Sequence, residues 1–449
     1  MCCCADAPAR AAMQHMMQYN GYFGCSWCYH PGVNVEGTVK YCLSEPFPDR
    51  ADEEAVHDMT AACHEKRPVR GVKGPTPLII LPGFSAVWAW CPDYMHCILL
   101  GVSRQITELW FSQSGSEHYI GEASVMAAVS EKLCSIRMPE CINRQPRSLL
   151  TRKHWKAAEW QSWLLYYSIP CLSGVLDRTY LDHWSLLVAG VFLLLKDTVT
   201  QSELAESTKL LTEFVVGVQF LYGNSKMTYN VHQLLHMPKS VLLFGPLWAH
   251  SCFTFETNMG RLLKLVTSSN VVSLQIATQL LLHSSCSALA SEHSLSLLGM
   301  PNKQESDKLI PLGKPEVVEE AFVSEHVQLQ GCETAEFKRV KVNGSTVCSE
   351  KYYRQLRTDN TAIMLRHGTY GKIQRIFCCT EQTGEKAFFV LTGVYRADCI
   401  WPCVQHIKVA RRIQQNSICE LDEHARPCAC FPIAGKEYFC DLVNKYEWS

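Results

Sequence analysis

The sequence predicts an α+β protein: a short buried strand at the amino end, a long, mainly helical middle tied by a metal, and a small antiparallel β module at the carboxyl end. Three observations predict it. Apolar residues recur at helical spacing over most of the stretch from Asp93 to about residue 285. Beyond Tyr370 the pattern changes to β-branched and aromatic runs bounded by turn residues. A Cys-x-x-Cys near the start is matched, far downstream, by a His-x-x-x-His.

The first element is the apolar run Cys2-Cys3-Cys4-Ala5, which reads as a buried strand with Asp6 at its tip. Residues 7–19 fit a short helix, and 21–24 a strand or turn leading to Cys25 and Cys28. Residues 31–83 are broken by Pro and Gly and carry an acidic middle at 49–58; they predict an irregular segment with room for one helix, a basic loop at 70–75 and an extended piece at 77–83. Asp93 opens an amphipathic helix running to about Phe111. Further helices are expected at about 153–168, 180–197, 201–222, 229–236, 253–267 and 270–285, with Thr200 and Glu203 forming a capping box for the third. Strands at 370–377 and 387–391, joined by a Thr383-Gly384 turn, and a further strand within 400–409 make up the β module. The resulting division is 1–30, a core remnant with the Cys-x-x-Cys knuckle; 31–245, a helical insertion; 246–291, two helices including the one that bears Glu256; 292–335, a linker; and 336–449, the β module.

A net charge of -1 over 449 residues gives no global signal for nucleic acid, so any such surface is local. The strongest local stretch runs from Glu131 to Glu159, with seven Lys or Arg against three Glu. Arg144, Arg147, Arg152, Lys153 and Lys156 are its candidate phosphate contacts, with Trp155, Trp160 and Trp163 as stacking partners. The plainer reading of such a run is a solvated helix face over a tryptophan core. The 24 cysteines lack the framework of a small secreted domain, which predicts reduced thiols in nucleus or cytoplasm and no secretion. Residues 186–195 are too short an apolar run to cross a bilayer. Because the chain begins inside a strand, the expectation is that an amino-terminal portion is missing.

Two thiolates and two imidazoles, Cys25, Cys28, His232 and His236, make a closed tetrahedral set for a structural Zn2+. Alternatives stay open at this stage: a redox pair, a satisfied core histidine, or ligation by His30 or Cys63-His64. Asp6 and Glu256 suit a Mg2+ site for phosphoryl transfer, or else a helix cap and a solvated helix residue. Asp93 and His96 are a second candidate pair, with a helix cap as the plainer reading.

Five blocks carry a resemblance. Asp6-Ala7-Pro8-Ala9-Arg10, Asn20-Gly21-Tyr22-Phe23-Gly24-Cys25-x-x-Cys28, Asp93-Tyr94-Met95-His96, Asn230-Val231-His232-x-x-x-His236 and Gly245-Pro246-Leu247-Trp248-Ala249-His250-Ser251 resemble, in order, the catalytic region of CACTA-type (En/Spm-like) transposases, the arthropod copies above all. The resemblance implies an RNase H-like core whose Asp-Asp-Glu acids bind Mg2+, interrupted by a large zinc-tied helical insertion. It implies that Asp6 is the second acid, Glu256 the third, and Cys25, Cys28, His232 and His236 the zinc ligands. The first acid lies upstream of anything in this sequence. The expectation is therefore a transposon-derived fragment that is inactive alone, or a catalytically dead zinc-stabilised scaffold. DNA and self-association are its expected partners, with neither a membrane nor a small-molecule substrate.

Overall fold

The computed structural model describes residues 1–293, 309–318, 333–352, 357–380, 386–422 and 424–443. Strand Cys3–Cys4 is paired in parallel with Trp90–Cys91, in the register Cys3 with Trp90 and Cys4 with Cys91. A parallel pair needs a long crossover. Here residues 5–89 supply it, including helices Ala7–Gln14 and Asp52–Glu65. The expected insertion 31–245 thus contains a core strand at Trp90–Cys91, and both paired strands lead into carboxylates, Asp6 and Asp93. Residues 77–80 are not extended: Pro77 fits the first turn of a 3-10 helix, which Thr76 caps through its hydroxyl to the N–H of Leu78.

The helix expected at 93–111 begins as a π-helix, Met95–Ser103, and continues as an α-helix, Arg104–Ser112. Residues 149–172 alternate 3-10, α and π turns rather than forming one helix. Arg178–Leu194 and Gln201–Tyr222 pack against each other, and Thr200 with Glu203 closes the capping box read from the sequence. The core between these elements holds Trp110, Trp160, Trp163 and Trp184, all fully buried.

The carboxyl-terminal strands form an eight-stranded antiparallel sheet. Ala362–Met364 pairs with both Tyr370–Thr380 and Arg426–Ile433, which closes six strands into a barrel and removes their edges. Strand Lys386–Cys399 is longer than expected, and residues 400–406 turn before strand Ile407–Glu420. Leu309–Leu312 and Glu316–Val317, within the expected linker, are strands; residues 294–308 and 319–332 of that linker and the Thr383-Gly384 turn lie outside the described residues.

The barrel is not a separate body. Trp401, Val404, Ile407, Phe431, Tyr438 and Cys440 belong to the same apolar cluster as the helices. His406 stacks on Phe192 with ring centroids 3.6 Å apart, and its Nε2 is 2.8 Å from the carbonyl of Leu165. Burial pushes His406 down to about 3. The unfolded chain takes up this proton near pH 6.5 and the folded chain near 3, so stability is complete above 6.5 and falls as pH drops through that window. At pH 5 the expected loss is about 2 kcal/mol. A urea melt series from pH 7 to 5 on the parent and on His406→Gln checks this; the variant is expected to be less stable at pH 7 and less sensitive to acid.

Candidate metal centre and acid cleft

Cys25 and Cys28 lie on a tight loop held from below by Arg50. This buried guanidinium donates from Nε to the carbonyls of Cys25 (3.0 Å) and Cys28 (3.1 Å). Gly24 is required there, since an added Cβ would meet the Gln18 carbonyl at 2.4 Å. Trp27, between the thiols, donates from Nε1 to the carbonyl of Trp90 (2.8 Å), tying the loop to the parallel strands. Thr228 caps helix Tyr229–Gln233, and the chain tightens to a 3-10 turn at Leu234–His236, which brings both imidazoles to one side.

The four groups meet. Cys25 Sγ is 3.4 Å from His236 Nε2, Cys28 Sγ is 3.3 Å from His232 Nε2, and the two Nε2 atoms are 3.3 Å apart. Tetrahedral zinc with bonds of about 2.3 Å to sulfur and about 2.0 Å to nitrogen sets S···N at roughly 3.5 Å and N···N at roughly 3.3 Å. All four residues are buried, and they are close enough to hold a metal ion, a fit for structural zinc. Burial opposes a thiolate at Cys25, but a hydrogen bond from Cys28 and the two imidazoles outweigh it and hold Cys25 well below the usual thiol range. The proton stays on Cys28, raised chiefly by that same bond.

His30 is not part of this set. Its Nδ1 accepts from the N–H of Gly32 (3.0 Å) and its Nε2 faces the carbonyl of Cys42 (3.0 Å), so both nitrogens are used. Cys63 and His64 sit on the exposed side of helix Asp52–Glu65.

Arg10, for which sequence alone offers no role, joins the pieces. Buried, it donates to the carbonyl of Cys91 (2.9 Å), the hydroxyl of Tyr229 (2.7 Å) and Oε1 of Gln233 (3.1 Å). Gln233 in turn donates to Cys25 Sγ (3.4 Å). Arg10 and Arg50 thus hold the residues that carry the four candidate ligands, and only the folded chain, which buries both guanidinium groups against these oxygens, reveals it.

Beside the centre lies a small cleft lined by Asp6, Arg10, Asp93, His96 and Gln233, among others. Asp6 Oδ1 accepts from the N–H of Ala9 (2.8 Å), capping helix Ala7–Gln14. Asp93 is buried and does more than cap. Its Oδ2 accepts from the N–H of His96 (2.9 Å) and faces His96 Nδ1 (2.6 Å), while Oδ1 accepts from the N–H of Cys252 (2.8 Å). The last bond docks helix Cys252–Lys264, which bears Glu256, onto the strand end. Burial disfavours ionised Asp93, yet these bonds outweigh it and its acidity is increased; the same contact raises His96. His96 Nε2 is 3.5 Å from Glu256 Oε1. Glu256 thus reaches His96, and Asp6 lines the same cleft as that imidazole, but both acids fall outside the groups whose ligand atoms approach within 4.8 Å of one another.

Part of the basic segment is engaged within the fold. Arg147 pairs with Glu159, Arg144 lies 4.0 Å from the same carboxylate, and Arg152 is buried against Glu108 at 3.0 Å. Trp155, Trp160 and Trp163 pack on one another inside the core, so they present no stacking face. Lys153 and Lys156 remain exposed. No helix among the described residues is long and apolar enough to cross a membrane. Comparisons with protein-family models, with curated proteins and with solved structures give no match.

Proposed function

We propose that this chain carries two acids, Asp6 and Glu256, of a DDE-type DNA strand-transfer site, held on a helical scaffold pinned by zinc at Cys25, Cys28, His232 and His236. In this reading the strands Cys3–Cys4 and Trp90–Cys91 belong to an RNase H-like core. One observation carries the proposal: Asp6 shares a cleft with His96, whose ring lies 3.5 Å from Glu256, 250 positions further along the chain, beside the four-ligand centre. Bound Mg2+ would stabilise the attacking and leaving oxygens of a phosphodiester. Asp6 and Glu256 would supply carboxylate oxygens to it, and Asp93 fixes the helix that presents Glu256. With two acids rather than three, the 449 residues alone are expected to bind divalent ions without cleaving DNA. DNA as partner and the nucleus as compartment follow from this reading.

Iron in place of magnesium tests it. Fe2+ with ascorbate and peroxide is expected to cut the backbone near residues 6, 96 and 256, with excess Mg2+ protecting. Asp6→Asn and Glu256→Gln should each reduce cutting at least fivefold. Cutting that is unchanged in both variants overturns the proposal.

The rival reading, a scaffold without metal chemistry, draws on Asp6 serving as a helix cap and Glu256 being 62% exposed. It expects no acid-dependent cutting. Where such a scaffold binds duplex DNA, affinity falls steeply with salt; salt-independent binding would argue against phosphate contacts.

A further inference from the structure

A second group of thiols lies at the amino end, apart from the Cys25 centre. Side chains alternate along an extended strand, so Cys2 and Cys4 share one face and Cys3 takes the other. Parallel pairing sets Cys91 opposite Cys4, on that same face. The sulfur atoms of Cys2, Cys4 and Cys91 consequently lie within 4.8 Å of one another. Metal–sulfur bonds of about 2.3 Å place thiolates roughly 3.8 to 4.0 Å apart around one ion, so small rotations of these side chains suffice. The three grade from exposed Cys2 through part-buried Cys4 to buried Cys91. An ion can enter from solvent and still lose most of its water.

We propose that Cys2, Cys4 and Cys91 form a three-thiolate site for a soft monovalent cation, Cu(I). Thiolates select Cu(I) over harder ions. Three sulfurs with no imidazole or carboxylate in the group match a trigonal ion, whereas zinc takes four donors. Each thiol releases one proton to solvent as its sulfur binds, and no electron is transferred. The bound unit carries net negative charge, which the buried guanidinium of Arg10, bonded to the carbonyl of Cys91, offsets. The ion bridges two strands that are only two residues long and lead to Asp6 and Asp93, so it would brace the base of the acid cleft.

The test uses the full chain, loaded with one zinc, reduced and kept free of oxygen, and titrated with Cu(I) against a chromophoric competing chelator. One Cu(I) per chain is expected with zinc retained, and X-ray absorption should show a first shell of three sulfurs without nitrogen. Cys2→Ser, at an exposed position that leaves folding intact, and Cys91→Ser should each weaken binding at least tenfold, while Cys3→Ser leaves it unchanged. The proposal is overturned if Cu(I) enters only as zinc leaves, if Cys2→Ser and Cys91→Ser keep the parent affinity, or if Zn2+ in excess fills the site equally well.

Discussion

Cys25→Ser or His232→Ala is expected to unfold the region between the parallel strands and the Glu256 helix at ambient temperature. The four ligands come from two segments about 200 residues apart, so no preformed site survives unfolding and the free energy of metal binding is folding free energy. For structural zinc that is on the order of 10 kcal/mol, comparable to the whole stability of a domain at about 5 to 15 kcal/mol. Elemental analysis of the purified parent should give one zinc per chain. A strong chelator at neutral pH should collapse the thermal transition, and restoring zinc should recover it. A parent without zinc, or a Cys25→Ser chain that melts within about 1 kcal/mol of it, would show that the four side chains are only a core contact.

Arg10→Met is expected to be the next most damaging change, costing about 3 to 5 kcal/mol, because it leaves three buried partners without their charged donor. The cost has a second expression. Gln233 loses the contact that aims its amide at Cys25, and loss of a group that orients a metal ligand typically weakens metal affinity about 10- to 100-fold. Urea unfolding reads the first effect and zinc transfer to a competing chelator the second. Were Arg10 simply filling space, Met would preserve both.

The sequence makes the long helices and the metal ligands legible, since their signals are local: a Thr200/Glu203 capping box, a Cys-x-x-Cys, and histidines one helical turn apart. It does not announce the strand Trp90–Cys91. Two residues carry no alternation, and their strand identity comes wholly from Cys3–Cys4 across the crossover. For the same reason Asp93 reads as an ordinary helix cap: its bond to Cys252 joins positions far apart in the chain. Charge counting does not show that Arg147 pairs with Glu159 and Arg152 with Glu108: the first partner is local, the second lies far off in the chain. The π-helical start at Met95 has no pattern in one sequence that distinguishes it from an α-turn.

The sharing of one apolar cluster between helices and barrel bears on how the chain is made. Strand Lys436–Asp441 is the last described element, and its Tyr438 and Cys440 close over side chains from the helical half. During synthesis the helical half must wait, with part of its greasy face bare, until the barrel strands have left the ribosome too. Expression of a shortened version ending before the barrel should therefore yield aggregates rather than a smaller working piece.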